Sequence, residues 1–315
     1  MRRIGLTACV AVLVLAAVLS ARQEPVFRVR SETVPVYVTV VGSDGHLVTD
    51  LTKGDFQLFD NGRPQPITLF SSAIQPINII VMLDMSGSMT GNLDVLRRSA
   101  VQMFTRLLPG DQARVGNFGD RIVISPTFTN NVDTLIRALY LELEPGGNTP
   151  LWGAVNAAMG ALARLDGRRV VLVLSDGKNT APIPTLREVV ERAQLEDFMV
   201  YAIGLRSRGG FNVGGRSGGG IGGARMGRSR GFSADEPDPG LRDLAEESGG
   251  GYFALNDTID LGDTFARVAD ELHRQYLLGY AAPEDDGRVH TIEVKAADGS
   301  LKVRARRSYQ APQKR

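Results

Sequence analysis

The chain has 315 residues, of which 43% are hydrophobic and 23% charged, with a formal net charge of +1. That length can hold two domains. The near-neutral balance excludes bulk attraction to nucleic acid, or to an acidic surface, as the main basis of binding.

Residues 1–21 read as an export signal. Arg2-Arg3 is its basic start, residues 4–19 are nearly all apolar, and the small pair Ser20-Ala21 ends it. The run is short for a membrane span, which needs ~20 consecutive apolar residues. Cleavage after Ala21 is therefore expected, rather than an uncleaved anchor. The product would be periplasmic or extracellular, with no stable membrane span. Cys9, the only cysteine, lies inside this signal. The mature chain would have no disulfide and would fold on its core alone.

Residues 26–75 read as a small β-module. Residues 34–41 are rich in β-branched side chains, residues 56–59 form a second strand, and Asp60-Asn61-Gly62 is a hairpin signal ahead of a third at 67–70. The edge strands need partners, and the C-terminal segment is the expected source. Over 76–275 the pattern changes to alternating strands and helices. Buried strands are expected at 79–83, 170–174 and 200–205, and a hairpin over 113–118 and 121–125. Apolar residues at helical spacing predict helices over 92–108, 132–143, 150–165, 241–248 and 261–276. Thr185-Leu186-Arg187-Glu188 is a capping box opening one more. This order implies an α/β fold, a doubly wound and mostly parallel Rossmann-like sheet with right-handed crossovers.

Residues 206–236 interrupt the alternation. Positions 206–231 are rich in glycine and serine, with arginine at 206, 208, 216, 225, 228 and 230 and no acid. Such a stretch buries too little apolar surface to order itself. It reads as a flexible insert, or as a basic arm for an anionic partner. Without phased aromatics or a basic helix it does not read as a nucleic-acid site. Residues 276–308 return to β, with strands at 276–280, 289–294 and 301–305. The polar tail after them is expected to fray.

The most informative motif ends the first buried strand. Asp84-Met85-Ser86-Gly87-Ser88 places one carboxylate and two hydroxyls at alternate positions on a turn. No base, thiol or histidine stands beside them. Hard oxygen donors without a nucleophile activator suit a magnesium-like cation better than catalysis. Gly146-Gly147-Asn148-Thr149-Pro150 adds the Thr149 hydroxyl, and Leu174-Ser175-Asp176-Gly177 adds the Asp176 carboxylate. In an open parallel sheet, ligands collect at the carboxyl ends of strands where the winding reverses. Taken singly, the serines could be turn formers, Thr149 a helix cap and Asp176 a strand-end turn residue.

Together these residues resemble the von Willebrand factor type A domain and its metal-ion-dependent adhesion site. That family's pattern is Asp-x-Ser-x-Ser, then a threonine, then an aspartate. Asp84, Ser86 and Ser88 match the first element, Thr149 the second and Asp176 the third. The resemblance covers about residues 76–275. The flanking segments are similar to the accessory β-parts of bacterial, acidobacterial-type relatives. Trp152-Gly153 departs from the family, where a tyrosine and an aspartate often follow the threonine. The resemblance implies direct ligation of Mg²⁺ (or Mn²⁺ or Ca²⁺) by Ser86, Ser88 and Thr149. Asp84 and Asp176 would act partly through waters. It implies an exported adhesion or scaffold module, not an enzyme, whose partner protein supplies an acidic residue to the ion.

Two other classes compete. A hydrolase would need a general base near Ser86 or Ser88, but His46, His273 and His290 all lie elsewhere in sequence. Walker and dinucleotide-binding glycine signatures are missing after the buried strands. A structural envelope protein with a vestigial site is the third class.

Overall fold

The computed structural model describes residues 33–141, 146–206 and 236–313. The expected export signal at 1–21, the first residues of the β-module and positions 207–235 of the insert lie outside the described residues.

A six-stranded sheet forms the centre. Its strands are β5 (Ile77–Asp84), β6 (Gln112–Phe118), β7 (Ile122–Ile124), β8 (Arg168–Ser175), β9 (Phe198–Leu205) and β10 (Tyr252–Leu255), in the order β10-β9-β8-β5-β6-β7. All neighbours run parallel except the β6–β7 hairpin. The sheet is continuously apolar where helices cover both faces, as parallel sheets require. Every residue of β9 is buried. One face packs on α1 (Leu93–Phe104), α2 (Val132–Leu141) and α6 (Leu261–His273). The other packs on α3 (Leu151–Leu162), α4 (Leu186–Leu195) and α5 (Gly240–Ser248).

Helix α1 shows why these segments form. Leu96, Ala100, Met103 and Phe104 fall on one stripe and are fully buried, while Arg97, Arg98 and Gln102 avoid it. Burying each of its large apolar side chains is worth ~1.5–3 kcal/mol. The capping box opening α4 is formed: Glu188 N donates to Thr185 Oγ1 at 3.3 Å, and Thr185 N donates to Glu188 Oε2 at 2.8 Å. Helix α5 stops at Gly249, whose φ of 83° is left-handed and suits glycine best. Trp152 is a core residue packed with α3, α4 and α5.

Two four-stranded antiparallel sheets form the accessory module. They use β1 (Thr33–Val41), β2 (Phe56–Asp60), β3 (Arg63–Gln65), β4 (Leu69–Ser71), β11 (Tyr276–Ala281), β12 (Val289–Ala296), β13 (Lys302–Arg304) and β14 (Ser308–Gln310). The orders are β13-β1-β11-β4 and β14-β12-β2-β3. The C-terminal segment thus completes the N-terminal one in both sheets, with β1 paired to β11 and β2 to β12. Val34, Val36, Val38 and Val40 point into a core shared with Leu58, Leu278, Tyr280 and Ile292.

Three local expectations are corrected. The Asn61-Gly62 turn pairs β2 with Arg63–Gln65, not with 67–70. Thr68–Ser71 instead crosses to the other sheet and β4 pairs with β11. Pro66 follows β3 directly, and its missing N–H ends the ladder there. The helix expected to reach residue 276 ends at His273, where the chain turns into β11. The tail joins a sheet within the described residues: Ser308–Gln310 pairs with β12, and Tyr309 is only 4% exposed. Its aromatic ring fills the sandwich core, which outweighs the polarity of its neighbours.

The other face of β1 meets the amino-terminal ends of the central strands. The Arg168 guanidinium lies 4.8 Å from the centre of the Tyr37 ring. Gln275 Nε2 donates to Thr39 Oγ1 at 2.6 Å. The module therefore sits at the end of the sheet opposite the carboxyl ends of β5 and β8.

Candidate metal centre

Asp84 is the last residue of β5, and Asp176 follows the last residue of the adjacent parallel strand β8. Successive elements depart from these two strands on opposite sides, which opens a crevice at their carboxyl ends. Asp84 and Asp176 are 0% and 1% exposed, and Ser86 is 2% exposed.

A chain of short contacts links the motif residues. Ser86 N donates to Asp84 Oδ1 at 2.9 Å, which folds the loop back onto its own strand. The Ser86 and Ser88 hydroxyls are 3.2 Å apart. Ser88 Oγ donates to Asp176 Oδ1 at 2.8 Å across the gap between strands. A Cβ at Gly177 would lie 3.3 Å from Thr149 Oγ1, so the threonine hydroxyl rests against the residue after Asp176. The structure thus gathers all five residues, from three separate loops, into one locus.

Residues not singled out from the sequence hold these loops. Ser175 Oγ donates to Asp84 Oδ2 at 2.5 Å and also accepts from Gly177 N. Gly146 N donates to Met85 O at 2.9 Å, tying the threonine loop to the serine loop. Asp120 Oδ1 accepts from Gly147 N at 3.0 Å and from Asn148 Nδ2 at 2.9 Å. Gly146 is needed there because a Cβ would fall 2.3 Å from Asp120 N. Thr149 N donates to Thr180 Oγ1, and Thr180 N returns a bond to Thr149 O. Asp238 clasps the far side by accepting from Asn179 N at 3.0 Å. The Ser-Asp-Gly sequence after β8 could have signalled Ser175. Nothing local signals Asp120 or Asp238, since their partners are distant in sequence.

The electrostatics fit a cation. Burial pushes the Asp84 carboxyl up to about 6; bonds from Ser175 and Ser86 pull it back only in part, and the Asp176 charge adds to the push. Among the described residues, no cationic side chain ranks among the main causes of this balance. Two buried carboxylates and three hydroxyls form a donor set of hard oxygens, which is the chemistry of Mg²⁺-type ions. The three histidines are spent elsewhere. His273 Nε2 bonds Asp111 at 2.8 Å, His290 bridges Asp60 and Asp286, and His46 lies exposed on a turn of the module.

Outside this locus, Glu284, Asp286 and His290 bring potential ligand atoms within 4.8 Å of one another. Both nitrogens of His290 already have carboxylate partners there.

Residues 79–178 match the family model described as the von Willebrand factor type A domain. Over that stretch the chain is similar to a von Willebrand factor type A domain. The matched stretch runs from within β5 to just past Asp176 and so contains all five site residues. Among curated proteins, this chain is similar to the uncharacterized protein YwmC of Bacillus subtilis (strain 168). They are 28% identical over 167 residues, covering 45% of this chain and 71% of that one. Among solved structures, it is similar to proximal thread matrix protein 1 from the mussel byssus with a zinc-occupied MIDAS motif. That match has a TM-score of 0.51 at 16% identity and covers 69% of this chain. The chain spans about half the length of the mussel protein, 50%. A von Willebrand factor type A structure from Catenulispora acidiphila matches with a TM-score of 0.49 at 13% identity, covering 82% of this chain and 74% of that one. The mussel likeness speaks to the fold of the central α/β domain.

Proposed function

We propose that the protein binds one divalent cation, Mg²⁺ first among candidates, and through it an acidic side chain of a partner protein. Ser86, Ser88 and Thr149 would hold the ion directly, with Asp84 and Asp176 contributing charge through waters. When bound, such an ion supplies an open coordination position that a partner carboxylate can occupy. The zinc-occupied MIDAS of the mussel protein supports a divalent ion at the corresponding kind of site.

The observation that carries this reading is the contact from Ser88 Oγ to Asp176 Oδ1 beside the Ser86 hydroxyl. It joins the first and third elements of the motif around buried negative charge. The protein's own residues set up the binding. Asp84 fixes the serine loop through Ser86 N, Ser175 orients Asp84, and Asp120 holds the loop that delivers Thr149. We read the result as a binding device and not an enzyme, since no histidine stands near the serine hydroxyls to serve as a base. We place the protein outside the cytoplasm, on the strength of the export signal in its sequence. Among the described residues, no helix is long and apolar enough to cross a membrane.

Calorimetric titration tests the metal step: Mg²⁺ should bind the native protein and bind Asp176→Ala at least tenfold more weakly. Unchanged affinity in the variant would refute the assignment. A pulldown from envelope extract, in Mg²⁺ and in chelator, tests the partner step. Capture that survives chelation would count against a carboxylate bound through metal.

A further inference from the structure

The opposite end of the central sheet carries a second concentration of charge, of the other sign, built around the buried Arg168 and Arg306. Arg168 and Arg169 at the start of β8, Tyr37 of β1, Asp197 just before β9 and Arg306 of the C-terminal segment line a small cavity. Its volume is ≈ 10 Å³, room for about one water-sized particle. Three guanidinium groups thus meet a single carboxylate. Arg306 Nη1 takes that carboxylate, bonding Asp197 Oδ1 at 2.6 Å. Arg168 and Arg169 make hydrogen bonds only to neutral acceptors among the described residues: Leu272 O, Gln275 Oε1 and the Met199 sulfur for the first, Glu196 O for the second.

Donors are left over. The Nε–H groups of Arg168, Arg169 and Arg306 are all buried without an acceptor. Arg168 is 4% exposed and Arg306 9%, so bulk water does not reach them freely. Buried polar groups are nearly always hydrogen-bonded, and buried charges are nearly always paired. A water molecule would accept from an Nε–H but would leave the excess positive charge in place. A monatomic anion answers the charge in the least space.

We propose that this cavity binds a single halide ion, chloride in solution. Its ligands come from the central sheet through Arg168 and Arg169, and from the accessory module through Tyr37 and Arg306. The ion therefore fastens the two-sheet module to the base of the central α/β domain. It does not depend on the cation site at the other end of the sheet.

The full chain can be unfolded thermally in sodium chloride, sodium bromide and sodium gluconate at equal ionic strength. The two halides are expected to raise the midpoint saturably over gluconate, and Arg306→Gln is expected to lose that increment. Should the variant fail to fold, crystals of the native chain grown in bromide decide the matter. An anomalous peak in the cavity supports the proposal. Equal midpoints in chloride and gluconate, or a bromide crystal with no anomalous signal between Arg168 and Arg306, overturns it.

Discussion

Asp60 and Asp84 each end a β-strand and are 1% and 0% exposed, yet the fold treats them in opposite ways. Asp60 closes β2 in the accessory module and is surrounded by hydrogen-bonding partners. Its Oδ2 accepts from Tyr280 and Tyr309, both at 2.8 Å, and its Oδ1 pairs with His290 Nδ1 at 2.8 Å. Asp84 closes β5 and accepts from one amide and from the Ser175 hydroxyl, with a second acid close by. The module brings its own imidazole and phenols to a buried carboxylate. The central α/β domain instead surrounds one with oxygen lone pairs and a second negative charge. Burying a charge without a partner is costly, so the first arrangement is core and the second is a site.

The largest effect should come from breaking the saturated side. Asp60→Ala leaves two buried hydroxyls and His290 without their acceptor, and should destabilise the protein by about 3–5 kcal/mol. Urea denaturation would measure it. A loss below ~1 kcal/mol would mean that the phenols find other partners and that the contrast is false.

Asp84→Asn should behave oppositely. In chelator it removes a buried negative charge and should cost little or even stabilise. In Mg²⁺ at a hundredfold its dissociation constant, the native protein should gain about 2.7 kcal/mol, and the variant should gain almost none. Thermal unfolding with and without the metal measures both. An equal metal-induced gain in the variant would remove Asp84 from the site.

The two carboxylate environments should also separate by pH. Burial raises Asp84 to about 6 from its ordinary 3.8, so the folded state holds that proton more tightly than the unfolded chain. Its contribution is present below 3.8 and is lost as pH rises through about 6. Burial pushes the His290 imidazolium down, but Asp60 and then Asp286 outweigh it and leave the pKa raised above 6.5. That contribution is full below 6.5 and disappears at higher pH. In chelator, the urea midpoint should therefore fall in two separate windows. Asp84→Asn should abolish the lower one alone and His290→Gln the upper one alone. One shared window, or a loss of both in either variant, would merge what the structure separates.

Much of this molecule was readable along the chain. The buried strands at β5, β8 and β9 are continuous apolar runs, and the capping box at Thr185 is a four-residue signal. Asp84, Ser86, Ser88, Thr149 and Asp176 sit at strand ends and before a helix, where local pattern marks them. The supports were not readable, because Asp120 and Asp238 act on loops 27 and 59 positions away. The tail was misjudged for the same reason. Tyr309 looks like one aromatic in a polar stretch until Asp60, 249 positions earlier, accepts its hydroxyl.

Sequence by itself determined the alternating α/β order, the two β-rich flanks and the identity of the oxygen donors, since each rests on periodicity or on a few adjacent residues. Tertiary structure alone decided which β-strands share a sheet, where the chain crosses after Gln65, and which buried carboxylate is neutralised internally. Those outcomes depend on pairings across more than 200 positions, such as Tyr280 with Asp60. No local window carries that information, because a strand's partner is selected by the burial it completes and not by its neighbours in the chain.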